Sequence, residues 1–349
     1  MKGKLNLLSR ALTHHTHDVI SRRIIGVNEH ERRLRSMRER NFWRSTVFAL
    51  LLFLIPNTVF SQNAPEAQGA AQAATRASVK VMTWNIEGGG QCKRNRDMHK
   101  VGNVVRRYDP DVIVLQEVHR KQVLDLVYDL ASMHTYVSWF VETKSCGDGE
   151  DDDDFGLAIL SVYPMGNQRA FRLRNHPKET KRDEFRTLMR AALRVDDEHL
   201  VRVYNTHLTS QDDSRGDLYR EWQVIDILGI VAEDEARAER GNRVFQPVLM
   251  GDFNFNPQAE QYSLLMDRFK DTWAIWSRHH TDFDNPNGFT SPTRKPDKRI
   301  DYVFAGRHSR ISNREVRVPD VTTILADFDT QNREAVPDHL PVIANLFFR

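Results

Sequence analysis

A layered α/β domain with mixed β-sheets is the architecture this sequence predicts. Short apolar, β-branched runs bounded by Gly, Pro and Asp recur along residues 79–349. Helical periodicity fills several of the intervals between them. Strand-like runs outnumber helical ones, and some follow one another without a helix, so hairpins mix with crossovers.

The predicted strands are 79–86, 111–118, 155–162, 187–195, 199–208, 247–252, 299–304 and 340–348. The runs 155–162, 187–195 and 199–208 read as successive hairpin partners. Helical spacing covers 97–107, which ends before the "DPD" turn at 109–111. It covers 120–131, with Val123, Leu124, Val127 and Leu130 on one face. It is clearest over 215–240, with Ser214 as N-cap, Leu218, Trp222, Ile225 and Leu228 in register, and Gly241 at the end.

The chain has 349 residues, 40% hydrophobic and 28% charged, which is ordinary globular composition. Its net charge of +2 is unevenly spread: residues 1–61 carry 11 Lys/Arg and 4 Asp/Glu, which leaves 39 basic against 44 acidic residues beyond them, a balance of −5. The body therefore offers no global electrostatic argument for nucleic acid, although a local basic patch is compatible with it.

The N-terminus reads as an address. Residues 46–60 are apolar, but Pro56 and Asn57 interrupt them. That is short of the ~20 residues a membrane span needs and fits a signal-peptide core. Arg38, Arg40 and Arg44 precede the run, and Val59 and Ser61 offer small residues at a cleavage site. The expected organisation is a basic extension 1–36, with Met37 as an alternative start, then a signal peptide 37–61. An Ala/Gln-rich linker 62–78 and a folded body 79–349 follow. Export to the periplasm or medium is the expectation, and anchoring by 46–60 the alternative. Cys92 and Cys146 allow one disulfide in an exported chain. His14, His15 and His17 read as tail residues, and "EDDDD" at 150–154 as a solvated loop.

The chemistry lies where apolar strands end. "VLMGDFN" closes on Asp252 and Asn254, "TWNIE" offers Asn85 and Glu87, and "LQE" offers Glu117. "YNTHL" offers Asn205 and His207, Asp301 sits in "RIDYVF", and Asp338–His339 precede the final strand. Carboxylates and amides are costly to bury unpaired, so strands that repeatedly deliver them to one edge predict an active-site rim. Hard oxygen donors without a cysteine suit Mg²⁺ or Mn²⁺ and disfavour zinc. Two histidines among carboxylates suit attack of water on a phosphoester. No G-x-S-x-G or nucleophilic cysteine accompanies the set.

In their order, "MTWNIE", "PDVIVLQEV", "GLAILS", "YNTHL", "VLMGDFN", "RIDYVF" and "DHLPV" resemble the endonuclease/exonuclease/phosphatase superfamily over about 79–349. The resemblance implies the DNase-I-like fold, a four-layer αββα sandwich of two packed mixed β-sheets. It implies metal-side roles for Asn85, Glu117 and Asp338, with Glu87 a ligand or its support. It implies that Asp252 and Asn254 place the attacking water and hold a phosphate oxygen. His207 and His339 would flank the scissile phosphate, with Asp301 orienting His339. Asn205 and Arg190 are candidate phosphate contacts. The bland alternatives are that Asp301 pairs with Arg299 at the surface and that Arg190 is a solvated strand residue.

The expected function is divalent-metal-dependent hydrolysis of phosphoesters, with nucleic acid the first substrate class. A phospholipid of the sphingomyelin kind comes second, and a small-molecule phosphate third. A toxin or adhesin subunit using the fold as a scaffold is the non-enzyme reading. Trp273 and Trp276 could touch a membrane or simply pack into the body. A monomer without an obligate protein partner is expected.

Overall fold

Alternation of side chains along the strands builds two sheets that share one interior. The computed structural model describes residues 78–86, 97–130, 133–134, 136–143, 155–174, 185–197, 199–241, 243–280, 285–307, 310–317 and 337–348. The elements in chain order are β1 (Ser78–Asn85), α1 (Met98–Tyr108), β2 (Val112–His119), α2 (Arg120–Asp129), β3 (Tyr136–Thr143), β4 (Phe155–Ser161) and β5 (Met165–Arg172). Then follow β6 (Thr187–Arg194), β7 (Leu200–His207), α3 (Ser214–Arg240), β8 (Gln246–Asp252), α4 (Glu260–Met266), β9 (Phe269–Asp271), α5 (Thr272–Trp276), β10 (Asp301–Gly306), β11 (Arg310–Arg317) and β12 (Val342–Phe347).

One sheet has the order β11-β12-β1-β2-β4-β3 and the other β5-β6-β7-β8-β10-β9. Each has a single parallel pair at its centre, β1–β2 and β7–β8, with antiparallel strands around it. In β7 and β8, Val201, Val203, Val248 and Met250 join the cluster between the sheets, whereas Tyr204 and Leu249 pack outward beneath α3. That period of two with both faces buried is why these strands read as nearly continuous apolar runs. α1 and α2 contribute to the first cluster, and Val224, Ile227 and Val231 of α3 to the second, completing four layers.

Several sequence expectations need correction. Residues 155–161 and 187–194 are not hairpin partners. β4 stays in the first sheet, and β5 opens the second by pairing with β6, which alone forms a hairpin with β7. β5 was not predicted because it is an edge strand with its middle residues exposed, and β3 is likewise an edge strand. On α3 the N-cap is Asp213, whose side chain accepts from the backbone N–H of Arg215 and Gly216. Its buried face carries Tyr219, Val224, Ile227 and Val231, while Leu218 and Ile225 are exposed. Buried Gln223 and Asp234 sit on that inner face in hydrogen bonds, so polarity alone misassigns it. On α2, Leu124 is likewise exposed and Leu126 buried.

Trp273 is buried and Trp276 packs beside it, with ring centroids 5.3 Å apart, so this pair belongs to the body. Among the described residues no helix is long and apolar enough to cross a membrane. The segments 1–36, 37–61 and 62–77, together with Glu87, Cys92, Cys146 and the 150–154 run, lie outside the described residues.

Candidate active site

The ends of the two parallel pairs meet at one rim. Asn85, buried at the end of β1, donates through Nδ2 to Glu117 Oε1 at 3.2 Å and to Asp252 Oδ2 at 3.1 Å, which ties both sheets together.

Glu117 reaches this rim through an irregularity in β2. The pairing with β4 shifts register between Leu115 and Val118, and Glu117 has φ of 52°. A bulge re-aims the side chain, and a non-glycine residue held in this region carries strain of about 1–3 kcal/mol. Gln116 faces the other sheet, where its Nε2 donates to Asn205 Oδ1 at 2.7 Å. Asn205 Nδ2 donates back to the carbonyls of Leu115 at 2.9 Å and Ala158 at 3.0 Å, a pair at the edge of the shift.

The Gly-Asp-x-Asn ending of β8 has a geometric reason. Gly251 has φ of 147°, and a Cβ there would lie 2.0 Å from Thr206 O of β7, so only glycine fits. Asp252 follows, and its Oδ1 accepts from the backbone N–H of Asn254 at 2.9 Å. Asn254 has φ of 52°, which asparagine tolerates, and its Nδ2 donates to Leu208 O at 3.1 Å. Asn254 therefore clamps Asp252 to the end of β7.

His207 Nε2 lies 3.5 Å from Asp252 Oδ2 and 3.8 Å from Glu117 Oε1. Arg186 Nη1 lies 3.0 Å from its Nδ1. A guanidinium only donates, so Nδ1 accepts and the ring proton sits on Nε2. Burial, reinforced by the charges of Arg186 and His339, pushes His207 well below the ordinary imidazole value, so it is a neutral donor.

His339 Nδ1 and Asp301 Oδ2 are 2.8 Å apart, and His339 Nε2 is 3.9 Å from Asp252 Oδ2 and 3.8 Å from Asp338 Oδ1. Burial opposes the imidazolium, but Asp301 and then Asp252 outweigh it and hold this histidine well above its ordinary value. Its backbone is fixed too: Trp84 Nε1 donates to His339 O at 2.8 Å. Thr290 joins both partners, because its Oγ1 accepts from Asp301 N at 3.3 Å and its carbonyl from Leu340 N at 2.7 Å. Asp252 is driven up to about 7 by burial and by the neighbouring Asp301. Glu117 is also raised, by burial and then by Asp338.

The sequence pattern of the Endonuclease/Exonuclease/phosphatase family matches residues 82–322, a stretch that includes Asn85, Glu117, His207, Asp252, Asn254 and Asp301 but not Asp338 and His339. The chain belongs to this family. Members of this family are phosphoric ester hydrolases.

Solved structures with the same fold include an endonuclease/exonuclease/phosphatase from Beutenbergia cavernae. It is 22% identical, with a TM-score of 0.57, over 78% of this chain and 72% of that one. The human Nocturnin catalytic domain is 18% identical, with a TM-score of 0.55, over 78% of this chain and 96% of its own. Among curated proteins, the inositol phosphosphingolipids phospholipase C of Schizosaccharomyces pombe is 22% identical over 183 residues, 49% of this chain and 39% of that relative's length.

Family members generally work with a divalent metal, and the rim fits one. Glu117 Oε2, Asp301 Oδ1 and Asp338 Oδ1 are buried without a hydrogen-bond partner. With their carboxylates ionised, Glu117, Asp252, Asp301 and Asp338 face one guanidinium and one imidazolium, an excess of negative charge. Burial raises Asp252 and Glu117 against that excess, and a cation would offset it. Glu117 and Asp338, with Asn85 beside them, would hold that cation. Asp252, Asp301 and His339 also bring ligand atoms within 4.8 Å of one another. There, however, His339 Nδ1 and Asp301 Oδ2 already bond each other, so this trio suits proton handling.

The structure thus gathers Asn85, Glu117, His207, Asp252, Asn254, Asp301, Asp338 and His339. Two predicted phosphate contacts do not join them. Arg190 points beneath α3, buried against Asp234 Oδ1 at 2.5 Å with Asn167 Oδ1 at 3.1 Å. Asn205 spends its amide between the sheets. Arg299 pairs with Asp271 at 2.6 Å, which leaves Asp301 to His339. Sequence reasoning missed Arg186, Trp84 and Thr290. Arg186 lies one residue before β6, where alternation no longer fixes direction, and Trp84 reads as plain core.

Proposed function

We propose that this chain is a divalent-metal-dependent phosphodiesterase that acts on nucleic acid by activated-water attack, and that it is exported. The convergence of the Asp301–His339 pair, Asp252 and Glu117 at one rim carries the catalytic reading. Asp252, raised to about 7 and held by Asn254, is suited to take a proton from water near neutral pH. The Nε2–H groups of His207 and His339 are donors aimed where phosphate oxygens would gather charge, and Asp301 keeps His339 protonated. Bound at Glu117 and Asp338, Mg²⁺ or Mn²⁺ would supply charge neutralisation on the phosphate. Trp84, Thr290 and Asn254 hold these groups in place before substrate arrives.

The similarity to a phosphosphingolipid phospholipase C supports a second reading, hydrolysis of a phospholipid head group. A panel of supercoiled plasmid, RNA, sphingomyelin and a chromogenic phosphodiester, offered to the full-length protein with Mg²⁺, separates the two. Turnover of plasmid or RNA supports the first reading. Turnover of sphingomyelin alone supports the second, and turnover of none of the four contradicts both.

A further inference from the structure

Beside the cation site stands a turn that the catalytic groups do not use. Residues 290–298, "TSPTRKPDK", close on themselves through backbone bonds. Ser291 N donates to Lys298 O at 3.1 Å, Lys298 N to Ser291 O at 2.9 Å, and Lys295 N to Pro292 O at 3.1 Å. The turn is also fastened to the active-site strand entry. Thr293 N donates to Asp338 O at 2.8 Å, and Leu340 N to Thr290 O at 2.7 Å. Pro292 and Pro296 further restrict its backbone. Arg294, Lys295 and Lys298 are exposed, against one exposed acid, Asp297. The turn is therefore net positive on a body whose residues 62–349 balance at −5.

Charged side chains on a turn are most often only solvated. This turn differs in two respects: its sign opposes that of the body, and it is bonded to the backbone of a carboxylate at the cation site. A rigid attachment lowers the ordering cost of using those side chains as contacts. Arg294 has a contact of its own, so Lys295 and Lys298 carry the case. Lysine serves as a point-charge partner for phosphate.

We propose that Lys295 and Lys298 form a flanking-phosphate subsite that engages the neighbouring phosphate of a nucleic-acid strand while its scissile phosphate lies at Glu117 and His339. The proposal rests on the phosphodiesterase reading and names its substrate class. A zwitterionic lipid head group brings one phosphate and a cation, and gains nothing from two lysines. A strand brings a row of phosphates.

The test compares full-length wild type with the Lys295→Gln/Lys298→Gln double variant. A fluorescent DNA strand is titrated in EDTA, so that no turnover intervenes, over a range of salt. The variant should bind about 10-fold more weakly, and its log-affinity-against-log-salt slope should shrink by about 1.4, at about 0.7 per lost contact on a single strand. With Mg²⁺, the ratio of kcat/KM on the strand to kcat/KM on a chromogenic single-phosphate diester should fall about tenfold. Unchanged strand affinity and slope, equal losses on both substrates, or a loss seen only with anionic phosphatidylserine vesicles would each overturn the subsite. Wild type that hydrolyses no phosphodiester would sink the parent reading, while the titration would still decide the lysines.

Discussion

Asn205 and Leu115 face each other from opposite sheets, and the amide of one closes the carbonyl of the other at 2.9 Å. The same amide closes Ala158 O at 3.0 Å. These carbonyls border the register shift that turns Glu117 toward the rim, so a residue with no place for substrate shapes the candidate cation site. Asn205→Leu should take a hydrogen-bond donor away from two buried carbonyls, at about 1–3 kcal/mol each. Urea unfolding should show a loss of about 2–6 kcal/mol, and Mg²⁺ should bind the folded variant more weakly. Full stability with normal Mg²⁺ affinity would contradict this role.

Arg190 should matter for stability rather than turnover. It is buried against Asp234, which also accepts from Tyr204 Oη at 2.7 Å. Arg237 Nη1 also reaches Asp234 Oδ1 at 3.1 Å, so the cost of losing Arg190 should fall below that of a fully unpaired buried charge, about 3–5 kcal/mol. Arg190→Met should lower the unfolding midpoint sharply yet keep kcat per folded molecule. A large fall in kcat with an unchanged midpoint would restore the phosphate role.

The fold was legible from the sequence because its central strands, buried on both faces, leave long apolar runs with sharp polar ends. Edge strands such as β5 were not legible, since exposure dilutes their pattern. The site was legible where a motif coincides with a strand end, as at Asp252 after Gly251. It was not legible where direction depends on tertiary packing. Arg190 lies inside a predicted strand and Arg186 just before it, and only the structure sends Arg186 to His207 and Arg190 beneath α3.

Asp301 and His339 should act as one unit. His339→Ala should lower kcat by roughly 10²–10³, the scale of losing a donor to developing charge, with little change in KM. Asp301→Asn should act in the same direction but less. The double variant should be far from additive, as groups that work together fail together. Independent, multiplicative losses in a four-enzyme cycle on one phosphodiester would contradict the pairing.

Stability without metal should fall with rising pH. Asp252 has a raised carboxyl, about 7 in the folded chain against 3.8 as a free group. The folded state therefore holds its proton longer than the unfolded one. Stability from this group is complete below pH about 4 and is lost as pH climbs through about 7. In EDTA, Asp252→Asn should gain thermal stability relative to wild type across that window, and Mg²⁺ should shrink the difference by stabilising the wild-type carboxylate. A difference that does not vary between pH 4 and 7 in EDTA would contradict the assignment.

A cation-assisted phosphodiester centre built on Glu117 and Asp338 beside Asp252 and His339 should depend on a divalent metal for every turnover. Its most direct test is the rate on a chromogenic phosphodiester, measured on the full-length protein after exhaustive chelation and again after adding Mg²⁺ or Mn²⁺, with Glu117→Gln in parallel. The account predicts no turnover after chelation, recovery of the wild type with either metal, and no recovery of Glu117→Gln at ordinary metal levels. Full activity in the chelated protein, or a Glu117→Gln enzyme that Mg²⁺ restores to the wild-type rate, would contradict it.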